Sequence, residues 1–209
     1  MSDEFSFLSV MAPFYTPEQL KRISGTTIGI AGAGGIGSNV ALMLIRSGFS
    51  RLTLVDFDTV AASNLNRQAY GVAHIGKFKV LCLQELCRAI NPKALLNPIN
   101  ERIDQTNVGS VFGACDVIIE AFDDAASKAL LFSCYIASGK LLIGVSGIAG
   151  IGKSDRITIR KIRERCYIVG DETSAVSDTR LPYAPRVMVA AAKMADLVLS
   201  EVLDGPPAS

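Results

Sequence analysis

The sequence predicts an α/β domain: a doubly wound, mainly parallel sheet covered on both faces by helices, with antiparallel strands added towards the C-terminus. Three observations carry this expectation. Short apolar runs suited to buried strands alternate with longer segments of helical periodicity over residues 27–145. A glycine run, Gly32-Ala33-Gly34-Gly35-Ile36-Gly37-Ser38, joins the first such strand to its helix. Beyond Gly150 the texture changes to strands of alternating exposure.

Thr16-Pro17-Glu18-Gln19 reads as a helix start, with Thr16 as cap, Pro17 at the first helical position and Gln19 reaching back, so a helix follows over about 17–24. Thr27–Ala31 is a buried strand, Ile36–Ser47 a helix and Leu52–Asp56 the next strand, a unit of the length that a right-handed parallel crossover requires. A helix over about 77–90 leads to a mixed segment, Ala94–Ile99, and to a short helix beginning near Asp104. Asp116–Glu120 and Leu141–Val145 are further buried strands, separated by a helix over Ala125–Ala137. Arg156–Arg160 and Arg165–Val169 are expected to form an antiparallel hairpin or an addition to the sheet edge. A polar loop from Gly170 to Pro185 has no core pattern and is a candidate lid or binding loop. The helix over about 186–203 is rich in Ala and Val on most sides, which suggests burial against the sheet or a second subunit, and residues 204–209 are expected to fray.

At 209 residues, with no repeat or linker dividing it, the chain is expected to be one domain over 1–209. Hydrophobic residues make up 49% and charged residues 20%, which is globular composition. A formal charge of +1 gives no general attraction to nucleic acid or membrane. The apolar stretch Phe5–Tyr15 is interrupted by serines and Pro13, lacks a basic leader and is too short to span a bilayer, so a cytoplasmic protein is expected. The five cysteines include no Cys-x-x-Cys pair and only one histidine, His74, accompanies them; reduced thiols and no zinc site are expected. His74 is expected to be a surface or capping residue.

Gly32, Gly34 and Gly37 follow a strand and open a helix, and Asp56 lies 19 positions after Gly37 at the next strand end. That is a Rossmann-like nucleotide fingerprint: glycines admit phosphate to backbone N–H groups at a helix N-terminus, and the acid accepts from ribose hydroxyls. It leaves NAD, FAD and ATP open. Gly35 and the polar run that follows Asp56 favour ATP, because Asn64, Arg67 and Lys79 offer a hydrogen-bonding group and two cations for a triphosphate. Asp123 and Asp124 follow a strand at the carboxyl end, where parallel sheets place their ligands. Asp123 is the expected magnesium ligand and Asp124 the expected cap of the following helix.

These groups, with Asp56-Phe57-Asp58, Ser63-Asn64-Leu65-Asn66-Arg67-Gln68, Gly76-Lys77-Phe78-Lys79, Ile90-Asn91-Pro92 and Phe122-Asp123-Asp124, resemble the ThiF, MoeB and HesA family, which activates ubiquitin-like proteins. Glu120–Ala125, Ser146–Gly150, Gly170-Asp171 and Ala184–Val187 extend the resemblance towards the short ThiF-like branch of thiamine biosynthesis. The resemblance implies a three-layer Rossmann-like domain, the same outline as the reading above, acting as a homodimer. It also implies adenylation of the C-terminal Gly-Gly carboxylate of a ThiS-like sulfur carrier by ATP and Mg2+. Nucleotide contacts would come from Gly32, Gly34, Gly35, Gly37, Asp56, Asp58, Asn64, Arg67 and Lys79; Arg67, Lys79 and Asp123 would serve the chemistry, with Asp123 on the metal. The family supplies an arginine from the partner subunit, and Arg22 is the nearest candidate. No cysteine lies between Gly170 and Pro185 to join the carrier covalently, and Cys166 sits on the strand before. A nicotinamide-dependent oxidoreductase and a catalytically silent nucleotide-binding scaffold are the alternatives.

Overall fold

A computed structural model describes residues 6–204. In chain order the elements are α1 (Phe7–Met11), α2 (Pro17–Gly25), β1 (Thr27–Ala31), α3 (Gly35–Arg46), β2 (Arg51–Val55), α4 (Lys79–Ile90), β3 (Leu95–Ile99), α5 (Val108–Phe112), β4 (Val117–Glu120), α6 (Ala125–Tyr135), β5 (Leu141–Val145), β6 (Thr158–Arg163), β7 (Cys166–Gly170) and α7 (Ala184–Asp204). They build one sheet of order β3-β2-β1-β4-β5-β7-β6, parallel throughout except for the β6–β7 pair.

Strand alternation divides the core into two layers. Ile28 and Ile30 of β1, Val117 and Ile119 of β4, and Leu141 and Ile143 of β5 face the cluster that includes residues of α3, α4 and α7. Ala31, Ile118, Leu142 and Cys166 face the other cluster, with Val108 and Phe112 of α5 and Leu131 and Tyr135 of α6. Both faces of the sheet are therefore covered, as continuous apolar strands require.

Local chemistry accounts for the element ends. Gln19 N–H donates to Thr16 Oγ1 at 3.3 Å and Thr16 N–H to Gln19 Oε1 at 2.9 Å, the reciprocal cap expected for α2. The mixed segment 94–99 contains the edge strand β3, where Pro98 is tolerated because no further strand needs its missing N–H. The helix expected near Asp104 begins later, at Val108, because Asp104 Oδ1 accepts from Thr106 N–H at 2.7 Å and Asn107 Oδ1 from Asp104 N–H at 2.9 Å, closing a turn first. The expected hairpin forms, but its second strand, β7, enters the sheet beside β5 and leaves the exposed β6 as the edge.

α7 buries Val187, Ala190, Ala191, Met194, Ala195 and Val198 at helical spacing and packs chiefly on α3. That stripe is covered within the chain, so the apolar helix no longer argues for a second subunit. Asp204 ends α7; the rest of the 204–209 expectation lies outside the described residues. No helix of the described residues is long and apolar enough to cross a membrane.

Candidate nucleotide site

The chain winds outward from β1 through β2 to β3, then starts again on the other side of β1 with β4. The carboxyl ends of β1 and β4 thus flank the switch point where open parallel sheets hold ligands. The loops meet there. Gly32 has φ +101°, and a Cβ on it would lie 2.6 Å from the Ala121 carbonyl oxygen. A Cβ on Gly37 would collide with the Gly32 carbonyl oxygen. These two glycines let the turn fold onto its own helix and onto the β4 loop.

The other two face different surroundings. Above Gly34 only Gln68 Nε2 comes within 4 Å of a would-be Cβ, at 3.9 Å, whereas Gly35 lies against Val187 and the stem of Arg67. Gly34 is the N-cap of α3 and no side chain caps the helix. The amides of its first turn are thus available to an anion, in line with the helix dipole.

Asp56 is buried at the end of β2 and secures this turn: its Oδ2 accepts from Ala33 N–H at 2.7 Å and its Oδ1 from Asp58 N–H at 2.8 Å. Burial pushes its carboxyl above the ordinary value, against Lys79 and the two amides, which pull it down. Each oxygen retains acceptor capacity for a hydroxyl. Lys79, also buried, is held by the neighbouring acids: its Nζ lies 2.7 Å from Asp58 Oδ2 and 3.9 Å from Asp56 Oδ1. The cation expected at the phosphates is thereby paired with Asp58, and a nucleotide would have to compete with or draw on that pair.

The polar run after Asp56 closes towards the glycines. Asn64 Oδ1 accepts from Ala61 N–H at 3.0 Å, so its side chain shapes a 3-10 turn, Ala62–Asn64. Arg67 Nη1 donates to Ser63 O at 3.1 Å and to Asn66 Oδ1 at 2.7 Å, while Asn39 of α3 donates to the carbonyls of Gly35 and Arg67 at 2.6 and 3.0 Å. Two residues that sequence reasoning left without a role belong here. Tyr70 Oη donates to Ala33 O at 2.8 Å and lies 3.3 Å from Lys79 O, tying the glycine turn to the start of α4. Gln68 is buried and its Oε1 has no hydrogen-bond partner among the described residues. Its place directly after Arg67 was the available signal.

On the β4 side the two aspartates differ, and Asp124 is the cap expected of it. Asp124 Oδ1 accepts from Ser127 N–H at 2.8 Å and caps α6; that hydrogen bond leads the effects that hold its carboxyl below the ordinary value. Asp123 is exposed and makes no hydrogen bond with the described residues. No group of three or more His, Cys, Asp or Glu side chains is arranged to hold a metal among the described residues. A single hard carboxylate suits a magnesium ion held mostly by substrate phosphates and water, and the donor set fits that mode. Beside Asp124 opens a cavity of about 280 Å3 lined by Arg102, Ile103, Asp104, Ser127 and Leu130, and the Arg102 guanidinium lies 5.4 Å from the centre of the Phe57 ring.

The loop 171–183 is rooted in one buried ion pair. Arg186 Nη2 lies 2.6 Å from Asp171 Oδ2, and Arg186 also donates to the carbonyls of Gly152 and Lys153 at 2.7 and 2.9 Å. Asp171 accepts further from Thr173 and Ser174 N–H groups at 3.0 and 2.7 Å. Farther along, Leu181 O accepts from Gly150 N–H at 2.9 Å, and Asn66 Nδ2 lies 3.5 Å from Pro182 O. The loop therefore borders the polar run of the nucleotide site, with Ile151, Leu181 and Tyr183 exposed.

The remaining candidates lie elsewhere. Arg22 Nη1 donates to the carbonyls of Val202 and Leu203 at 3.2 and 2.9 Å, at the C-terminal end of α7, so its guanidinium is engaged within its own chain. Cys166 is buried in the core and burial pushes its thiol up, which removes it as a site for joining a carrier. His74 Nδ1 accepts from Gly71 N–H at 2.9 Å, the capping role expected.

The ThiF family model matches residues 8–203. The tRNA threonylcarbamoyladenosine dehydratase of Haemophilus influenzae is 35% identical over 148 residues, 70% of this chain and 56% of that protein. The molybdopterin-synthase adenylyltransferase of Salmonella typhimurium is 32% identical over 142 residues, 66% of this chain and 55% of that protein. The chain thus spans little more than half the length of these relatives. Among solved structures, Escherichia coli tRNA N6-threonylcarbamoyladenosine dehydratase in complex with AMP superposes with a TM-score of 0.84 at 20% identity, covering 94% of this chain and 93% of that one.

Proposed function

Because the chain belongs to the ThiF family, we propose that it is an ATP-dependent nucleotidyltransferase that adenylates a carboxylate. The observation that carries this reading is the convergence of the uncapped α3 N-terminus, the Asp56–Lys79–Asp58 group and the unpartnered Asp123 on one switch point. The α3 amides and Gln68 Nε2 would donate to phosphate, Asp56 would bind the ribose, and the cavity beside Arg102 the base. Asn64 would line the phosphates, with Arg67 and Lys79 opposing the charge that develops as the carboxylate oxygen attacks the α-phosphorus. The bond from that phosphorus to the β-phosphate oxygen breaks, pyrophosphate leaves, and an acyl-adenylate remains. A magnesium ion on Asp123 would supply Lewis-acid neutralisation of the phosphates. No protein nucleophile is needed, because positioning and charge carry the step.

For the acceptor we propose the Gly-Gly tail of a ThiS-like sulfur carrier, in thiamine biosynthesis. Exposed apolar side chains at Ile151, Leu181 and Tyr183, beside the nucleotide site, suit a protein surface. A homodimer is part of this proposal on family resemblance. A second reading takes the acceptor to be the threonine carboxylate of a threonylcarbamoyl-modified tRNA; the 35% identity to the Haemophilus influenzae tRNA threonylcarbamoyladenosine dehydratase favours it.

Nucleotide choice separates both from an oxidoreductase. Calorimetric titration is expected to show ATP binding with magnesium and no comparable binding of NADH. Tight NADH binding without ATP binding would exclude adenylation.

A further inference from the structure

Glu120 closes β4 at 1% exposure, an unusual place for a carboxylate. Lys128 reaches back from the first turns of α6 and places Nζ 2.9 and 3.0 Å from its two oxygens, and 3.4 Å from Val145 O at the end of β5. A buried ion pair repays little of its desolvation and is weak evidence of a stabilising role. What this one does hold is backbone: Glu120 Oε1 accepts from Phe122 N–H at 2.8 Å.

Asp123 therefore sits between two fixed points. On one side the Phe122 amide is held by Glu120; on the other the Asp124 carboxylate caps α6 through Ser127. α6 supplies both anchors, the Ser127 amide and the Lys128 ammonium, in successive residues. Between them, Asp123 itself has its carboxylate unpartnered among the described residues.

We propose that the Glu120–Lys128 pair is a positioning device that aims Asp123 at the divalent cation of the bound nucleotide. The proposal rests on Asp123 being the metal ligand. Its sign is distinctive. If Lys128 acted only through its charge, removing that charge would tighten a nearby cation. If it only supported the fold, removal would lower the melting temperature and leave cation affinity alone. As a positioning residue, its removal loosens the cation.

The test uses the full chain with the β,γ-methylene analogue of ATP and Mn2+, counting free Mn2+ by electron paramagnetic resonance. Lys128→Met is expected to weaken Mn2+ binding to the analogue complex roughly 10-fold, the scale of losing a residue that orients a metal ligand. Analogue binding without metal should not change, and Lys128→Arg should restore most of the loss. If Lys128→Met does not fold, Glu120→Gln with Lys128→Met removes both charges together and should show the same weakening. Unchanged or tighter Mn2+ binding in a folded Lys128 variant, with Asp123→Asn weakened, overturns the positioning role alone. Unchanged binding in Asp123→Asn overturns the assignment of Asp123 and the positioning role with it.

Discussion

Asp123→Ala is expected to lower magnesium-dependent exchange of pyrophosphate into ATP by roughly two to three orders of magnitude, the scale of losing one electrostatic stabiliser of a transition state. The fold should survive, because the side chain is exposed and makes no hydrogen bond with the described residues. Its neighbour supplies the contrast. Asp124→Ala removes the α6 cap, which should cost about 1 kcal/mol of stability, and should reduce the exchange rate far less. Equal rate losses in the two variants would mean that the pair acts as one acidic feature, contrary to its geometry. Exchange and chemical denaturation on the same preparations distinguish the outcomes.

The largest effect on stability is expected at Arg186. Arg186→Met leaves Asp171 buried without its cation and frees the carbonyls of Gly152 and Lys153, so denaturant titration should show a loss of about 3–5 kcal/mol. Limited proteolysis should then cut within 171–183, where the loop has lost its root. The same site sets an acid limit. Burial raises the Asp171 carboxyl, but hydrogen bonds from Ser174, Thr173 and Arg186 outweigh it and hold the group well below its ordinary value of 3.8. A carboxylate depressed in the folded state stabilises fully above its unfolded value. That contribution is lost as pH falls below 3.8, and Arg186→Met should reduce the loss. A variant as stable as the parent, with an unchanged acid limb, would contradict this account of the loop.

Much of this architecture is legible in the sequence because short-range chemistry decides it. Five-residue apolar runs become strands, Thr16 and Gln19 cap α2, and Asp124 caps α6, since the partners are three residues apart in each case. The glycine turn is legible for the same reason. Long-range choices are not. Lys79 reads as a phosphate cation, yet its nearest acid lies 21 residues away at Asp58. Glu120 and Lys128 read as the end of a strand and an ordinary helix residue until β4 and α6 pack. The apolar α7 reads equally as an interface or as core, and the answer depends on α3. The order of β6 and β7 follows from which strand β5 accepts, and the local alternation of the two strands does not encode that.

The most direct measurement is exchange of labelled pyrophosphate into ATP by the full chain with magnesium. It is run with a small carrier ending in Gly-Gly, with that carrier lacking the two glycines, and with threonylcarbamoyl-modified tRNA. Exchange that requires a carboxylate acceptor is the predicted result, and the acceptor that supports it identifies the substrate class. Folded, ATP-binding protein that catalyses no exchange with any of these acceptors would contradict adenylation and leave a nucleotide-binding scaffold in its place.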